Sequence, residues 1–420
     1  MAASIDQFSD NPLYIKLPAP QKQALENLCR EYRLSFQQLR TLLIITSDLE
    51  MWKIGPLTAW IDELPDMERR SGKQRAAALM RELERRWQRE KELGGSYENL
   101  RPSPHSSGGS SPGQTLIERP APETILGSCP VASEKTRCCN LMTLDAVVNC
   151  GYGCAYCTIQ SFYDEGRIFF HQDLAQKLQG LRLDPDTIYH IGTGQSSDSL
   201  MWGNRGGLLE LLFDFAEANP NVILELKTKS ANIAYILERK PPRNLLITWS
   251  LNSEAIADHE ERGTASVPER LDAARRVAEK GCLIGFHFHP MVPHQGWKKA
   301  YGRTFDRLVR DFTPERVAMV SFGTLTYIKP VIRAIRERGE ETQVLRMPLV
   351  ESAGKYSYPD EIKLELFRFA YNRLCPWHGK TFFYLCMEPA HFWEPVFGYS
   401  YPDNASFEEA MKRAYLHKIG

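Results

Sequence analysis

The chain has 420 residues, with 52 Lys+Arg against 52 Asp+Glu, a formal net charge of zero, 43% hydrophobic and 25% charged residues, 28 Gly and 26 Pro. These values exclude a collagen-like, wholly disordered or coiled-coil chain. The charge balance argues against a continuous nucleic-acid coat, although a local basic patch fits within it. No run of eighteen apolar residues occurs, so neither a transmembrane helix nor a membrane partner is expected. Met1 to Leu17 carries Asp6, Asp10 and Pro12 where a signal peptide needs a basic start and an apolar core, so a cytoplasmic location is expected.

From Pro20 to Leu93 apolar residues recur at helical spacing, first as Leu25, Leu28, Cys29 and Tyr32, then as Leu39, Leu42, Leu43 and Ile45. Asp66 to Leu93 reads as one long charged helix with a thin stripe of Leu79, Leu83 and Trp87, its Arg and Glu residues spaced to pair on a solvated face. Gly94 and Gly95 stop it. Ser96 to Thr124 is dominated by Ser, Gly and Pro and shows no apolar period, so it is expected as a flexible linker. The expected domains are a helical domain over 1–95, a linker over 96–125, a barrel over 126–340 and an extension over 341–420.

Strand-like and helix-like segments then alternate. The strands read as Leu141 to Asn149, Asp186 to Gly194, Asn221 to Ser230, Leu245 to Asn252, Cys282 to Met291 and Arg316 to Thr324. Six strand–helix units imply a parallel sheet with crossover helices. The expected fold class is α/β: a partial (β/α)6 TIM-type barrel with an all-α N-terminal domain and a short α+β C-terminal extension. In such barrels the chemistry collects where strands end. The polar residues gather there: the Cys150–Cys157 loop, Gly192 to Ser199, Lys227 and Lys229, Ser250 and Asn252, then His287, His289 and Pro290.

Ten cysteines in a chain expected in a reducing compartment point to metal binding or catalysis rather than disulfides. Cys29, Cys282, Cys375 and Cys386 are scattered and read as small buried hydrophobes. Cys150, Cys154 and Cys157 form C-x3-C-x2-C, three thiolates on one compact loop in which Gly151 and Gly153 are expected to permit tight turns. A structural zinc needs a fourth ligand, and Cys138, Cys139 or His171 would supply it at no usual spacing. An iron–sulfur cube held by three cysteines leaves one iron open to a cofactor or substrate. Both readings stand on the residues alone.

With Tyr156 before the last cysteine, the motif resembles the signature of the radical S-adenosylmethionine (radical SAM) enzymes. That resemblance implies a [4Fe-4S] cluster, S-adenosyl-L-methionine as cofactor, and reductive cleavage to a 5′-deoxyadenosyl radical that takes hydrogen from a substrate. CAYCTIQ (Cys154 to Gln160), GTGQSSDSL (Gly192 to Leu200), LELKTKSANI (Leu224 to Ile233), WSLN (Trp249 to Asn252) and the run from Arg270 to Trp297, then Tyr301, are similar to the spore photoproduct lyase branch. By this resemblance Cys150, Cys154 and Cys157 hold the cluster. Tyr156, Gly192, Thr193, Gly194, Asp198, Lys229, Ser250 and Asn252 line the cofactor, with Lys229 on the SAM carboxylate. The resemblance further implies a DNA-repair lyase with a DNA or other nucleic-acid partner, and an electron donor of the flavodoxin or ferredoxin type.

Each of these residues also has a plainer reading. Asp198 equally suits the cap of the following helix, and Ser250 equally suits a loop backbone partner. His287 and His289 share one strand face, where core packing and substrate contact are both open. Two departures bear on the radical-return step. Spore photoproduct lyases use a substrate-side cysteine downstream of the cluster as hydrogen donor, and this chain has no cysteine between Cys157 and Cys282. Their tyrosine after the third cluster cysteine is Thr158 here. Cys129, Cys138 and Cys139 are candidates for a surrogate donor, a redox pair or part of a second metal site, and Cys386 is another place to seek a donor. Trp377, Phe392, Trp393 and Phe397 suit base stacking or packing. The rival functions are a radical SAM enzyme on RNA, a peptide or a metabolite, and a non-catalytic zinc or iron–sulfur protein.

Overall fold

The computed structural model describes residues 3–64, 72–98, 100–105, 114–129, 135–162, 166–352 and 354–419. The start of the long charged helix (65–71), the centre of the Ser/Gly/Pro stretch (106–113) and residues 130–134 between Cys129 and Cys138 lie outside them. The chain forms two compact units. One comprises Met1–Asn99, Pro293–Gln295 and Thr326–Pro359. The other comprises Leu100–Val292, Gly296–Leu325 and Asp360–Gly420.

The first unit is built on helices α1 (Ala19–Tyr32), α2 (Phe36–Trp52) and α3 (Gly72–Leu93). A capping box of Ser35 and Gln38 starts α2, satisfying N–H groups that have no partner within the helix. The apolar stripes meet as the sequence spacing predicts: Leu25, Leu28, Leu39, Leu42, Leu43, Leu79 and Leu83 form one core, and Trp87 packs against it. On α3, Glu82 pairs with Arg85 at 2.6 Å and Arg86 at 3.2 Å, as expected of a charged outer face. Asp48 is buried, yet its carboxylate accepts from Arg336 at 2.7 and 3.0 Å and from the Trp87 indole at 3.1 Å. The helix Lys329–Arg338, which follows the sixth barrel strand in the chain, groups with this unit.

The second unit carries a partial barrel. Its parallel strands are β1 (Met142–Leu144), β2 (Tyr189–Thr193), β3 (Val222–Thr228), β4 (Leu245–Ser250), β5 (Leu283–Met291), β6 (Val317–Thr324) and β7 (Phe382–Leu385). They lie side by side in chain order, and Leu126–Ser128 adds an antiparallel strand beside β1. The six expected strands are all present. Within the segment expected as the C-terminal extension, Phe382–Leu385 joins them as β7, parallel to β6 with Ser321 opposite Tyr384. Within the segment expected as linker, Thr115–Arg119 forms a strand parallel to Arg167–His171, and Ser103 N–H donates to Asp258 O at 2.6 Å. The C-terminal aromatics pack rather than stand free: Trp377, Phe392, Trp393 and Phe397 are all buried. Among the described residues no helix is long and apolar enough to cross a membrane.

The period-2 geometry of strands sorts the inner residues into levels. On β3, Val222, Leu224 and Leu226 are buried on one face, and Glu225, Lys227 and then Lys229 share the other. The lower level is closed: Glu225, Thr248, His287 and Ser321 are buried. One step toward the strand ends, Lys227, Lys229, His289 and Cys386 are only half-buried. These part-exposed residues line the upper interior of the half-barrel, called the chamber below, above a buried polar floor.

Candidate active site

The cysteine loop leaves β1 and is fastened on both sides. Val147–Val148 pairs antiparallel with Phe169 and Phe170. Asn149, in the left-handed region at φ 69°, ties its amide to Arg167 O at 2.7 Å. Gly153–Cys154 then pairs antiparallel with Glu261–Arg262, and Ala155 N–H donates to Glu260 O at 2.8 Å. Gly151 and Gly153 do not have positive φ. The constraint at Gly151 is close packing, since a Cβ there would collide with the Met201 side chain.

The three thiols act on one another. Burial above all, then Asp198, Cys154 and Cys157, pushes Cys150 well above the usual thiol value. Burial pushes Cys154 up to about 11, against the pull of Lys229 and reinforced by Glu261 and Cys157. Tyr152 N–H points at the Cys150 sulfur at 3.5 Å, and the Lys229 ammonium lies 3.6 Å from the Cys154 sulfur. Among the described residues no three His, Cys, Asp or Glu side chains converge where a single metal ion would sit.

A buried charge network braces this loop. Glu261 lies opposite Cys154 in register; it pairs with Arg270 at 2.6 Å and accepts the Tyr156 hydroxyl. Arg270 also donates to Ala265 O at 2.8 Å, Ser250 O at 3.0 Å and the Thr264 hydroxyl at 2.6 Å. Burial alone would raise Glu261, but Arg270 and Lys229 outweigh it and hold its carboxyl at about 2. Burial likewise works against the Lys229 ammonium, and Cys154 and Glu261 reverse the sign and keep it above the usual lysine value. The Tyr156 ring presents its face to Lys229, 5.1 Å from the nitrogen.

The strand end at Gly192 to Ser199 folds back tightly. Gly194 has φ +82°, and a Cβ there would come within 2.6 Å of Lys227 O and 2.7 Å of the Ser199 hydroxyl. Thr193 and Ser199 share a hydroxyl–hydroxyl bond of 2.6 Å, and Ser199 N–H donates to Lys227 O at 3.1 Å. Asp198 clamps the turn. It accepts from Leu200 N–H at 3.1 Å, Met201 N–H at 2.9 Å, the Thr228 hydroxyl at 2.7 Å and Lys229 N–H at 2.6 Å. Four internal donors leave Asp198 nothing to offer a ligand; it ties the turn after β2 to the end of β3 and does not cap the following helix, which has Gly207 at its N-cap.

Asn252 is spent in the same way. Its amide donates to Pro290 O at 3.0 Å and Glu261 at 3.5 Å, and its oxygen accepts the Tyr301 hydroxyl and Ser253 N–H. That is the full capacity of a side-chain amide, so Asn252 holds β4 to β5 and has no donor left for a ribose. Ser250 differs: its carbonyl serves Arg270, and its hydroxyl has no protein partner among the described residues.

The floor beneath is a carboxylate between two imidazoles. Glu225 accepts from His190 at 2.8 Å, His287 at 2.7 Å and the Thr248 hydroxyl at 2.7 Å. His287 Nδ1 meets the Ser321 hydroxyl at 2.6 Å, which fits a neutral ring with its proton on Nε2, since burial first and Lys227 second lower His287 to about 4. His289 stands a level higher and is lowered to about 3 by burial and the nearby lysines. Of the two histidines, His287 is thus core and His289 faces the chamber. Glu225, Glu261 and Arg270 were not singled out from sequence; the available signal was a charge set inside an otherwise apolar period, as in Leu224–Glu225–Leu226.

Residues 182–360 match the family described as spore photoproduct lyase. Over those residues the chain is similar to spore photoproduct lyases. Spore photoproduct lyase from Geobacillus sp. (strain Y412MC61) is 30% identical over 152 residues, which are 36% of this chain and 44% of that protein. The enzyme from Bacillus subtilis (strain 168) is 25% identical over 137 residues, 32% of this chain and 39% of that one. The chain thus spans less than half the length of the curated relatives it matches. A solved spore photoproduct lyase complexed with dinucleoside spore photoproduct superposes with a TM-score of 0.54 at 22% identity, covering 64% of this chain and 81% of that one. A mutant with bound AdoMet and dinucleoside spore photoproduct gives a TM-score of 0.54 at 22% identity, covering 69% and 88%. These structures share the fold. The family match begins after the cysteine loop, so the reading of that loop rests on its own residues and geometry.

Proposed function

We propose that this spore photoproduct lyase-like chain is a cytoplasmic radical SAM enzyme that acts on a DNA lesion. Cys150, Cys154 and Cys157 would hold a [4Fe-4S] cluster. The observation that carries the proposal is the set of three mutually interacting thiols on one rim loop, with the Lys229 ammonium beside one of them. Three thiolates on one loop would suit a cube that leaves one iron open, whereas a structural zinc would need a fourth ligand. Metal binding displaces the thiol protons.

When bound, the cluster and SAM supply one-electron chemistry that makes a carbon radical able to take hydrogen from an unactivated C–H bond. The chain's own residues do the rest. Lys229 presents its ammonium to the cofactor carboxylate, a charge-assisted contact. Gly192, Thr193 and Gly194 offer strand-end backbone at close approach, and the Ser250 hydroxyl offers a donor. Arg270, Glu261 and Tyr156 hold the loop in place, and the buried floor keeps water out from below. Lys227 has no acid partner among the described residues, so its charge in the chamber is left for an anion, which supports a nucleic-acid substrate. A flavodoxin- or ferredoxin-type donor would supply the electron.

The test is product analysis of the reconstituted enzyme given dinucleoside spore photoproduct, ultraviolet-irradiated DNA, and undamaged DNA and RNA in parallel. Conversion of the lesion to two intact thymine residues, without turnover of the undamaged nucleic acids, supports the proposal. Turnover confined to undamaged RNA, a peptide or a metabolite would favour the second reading, which the absence of a cysteine between Cys157 and Cys282 keeps in view.

A further inference from the structure

Cysteines far apart in sequence meet on the chamber wall. Cys386 N–H donates to Phe322 O at 2.7 Å, carrying the β6–β7 ladder one residue past β7. Tyr384, two residues earlier, lies opposite Ser321, whose hydroxyl meets His287 inside the barrel. Strand alternation therefore sets Cys386 on the inner face. The segment bearing Cys138 and Cys139 is pinned beside it: Arg137 N–H donates to Glu388 O at 3.0 Å, and Cys138 N–H donates to Asn404 Oδ1 at 3.0 Å. Gly323, facing inward on β6, makes room, since a Cβ there would lie 2.7 Å from the His289 ring and 2.9 Å from Cys386 O.

Cys386 thus neighbours His289 across Gly323 and lies near enough to Lys227 for that ammonium to pull on its thiol. It is half-buried, so the chamber reaches it. An S–H bond is weaker than the aliphatic C–H and alcohol O–H bonds around it and about as weak as the Tyr384 phenol O–H, and a thiol hands its hydrogen to a carbon radical faster than a phenol does. We propose that Cys386 is the hydrogen-atom donor of the chamber, giving its thiol hydrogen to a carbon radical formed there; this rests on the radical reading above.

The step balances without a co-reactant: the S–H bond breaks homolytically, the C–H bond forms, and a sulfur radical remains on Cys386. The one-electron reductant that serves the enzyme and a proton from water restore the thiol. A donor of this kind must hold its proton at neutral pH. Burial above all, then Cys129, Cys138 and Glu388 against the pull of Lys227, pushes Cys386 up to about 12. Cys138 behaves in the opposite way: a hydrogen bond from Cys139 takes it down to about 6. Cys386 is thus kept as S–H, as is Cys139, which its bond to Cys138 and burial raise well above the usual thiol value.

The experiment uses the full chain, reconstituted with iron and sulfide, reduced with dithionite and given SAM alone in D2O, where thiols exchange to S–D. The 5′-deoxyadenosine formed should carry one deuterium. In Cys386→Ser and Cys386→Ala the deuterated fraction should fall about fivefold or more, with iron content and total 5′-deoxyadenosine within about twofold of the parent. A nitrone spin trap should label the Cys386 peptide of the parent chain, read by mass spectrometry. Deuteration unchanged in both variants, or a trap adduct on Tyr384 or Cys139 instead, would overturn the assignment. An iron-loaded chain that forms no 5′-deoxyadenosine would defeat the radical reading first and this donor with it.

Discussion

The Lys229 ammonium sits 3.6 Å from the Cys154 sulfur, on the strand face that also carries Lys227 and Glu225. The cation is thus shared between a motif cysteine and the mouth of the chamber. Lys229→Met should keep iron binding but weaken SAM by about 10- to 100-fold, the usual worth of a charge-assisted contact. Equilibrium binding of SAM to the reconstituted variant checks this, and Lys229→Arg should recover part of the loss.

The Arg270–Glu261 pair is fully buried at 2.6 Å. Removing one partner strands the other, so Arg270→Met or Glu261→Gln should each cost about 3–5 kcal/mol, whereas an apolar pair of matched volume should cost much less. Urea unfolding of the singles and the double reads the difference. The singles should also loosen the cysteine loop, seen as faster alkylation of Cys154.

Acid should destabilise the second unit in a defined order. His287 and His289 have folded values of about 4 and 3, below the usual 6.5. The unfolded chain therefore binds more protons as pH falls below 6.5, and stability is lost from there down toward pH 4. Glu261, at about 2 when folded, adds a second loss below about 4.5. His289→Phe should remove about one proton from the slope between pH 6 and pH 5, or about 1.4 kcal/mol per pH unit. Urea midpoints of the cluster-free chain at those two pH values measure it.

Asp198 tests the difference between a turn clamp and a ligand contact. Asp198→Ala strands four donors and should cost about 2–4 kcal/mol, with SAM binding lost as the strand end loosens. Asp198→Asn keeps much of the acceptor geometry and should retain SAM binding within about threefold. A direct cofactor role would instead make the two variants equally defective in binding at full stability.

Much of this was legible in the sequence because it is local. Strand periods located all six expected strands, and the Cys150–Cys157 spacing located the loop that β1 presents at the rim. Non-local partners were not legible. Asn252 reads as a polar strand end, and only the arrival of Tyr301 and Pro290 from β5 and beyond shows that its amide is saturated. Glu225 is one acid in an apolar run until β2 and β5 bring His190 and His287 to either side of it. In the sequence Cys386 is either a small hydrophobe or one of several places to seek a donor, because its relation to Cys138, Cys139 and Lys227 exists only once β7 closes onto β6.

The most direct test of the central claim is electron paramagnetic resonance of the anaerobically reconstituted, reduced chain before and after SAM is added. The proposal predicts about four irons per chain and a cluster signal that shifts when SAM binds the iron left without a cysteine. The signal should be lost on replacing any one of Cys150, Cys154 or Cys157 with alanine. One tightly bound zinc per chain, or a cluster signal that SAM leaves unchanged, would contradict it.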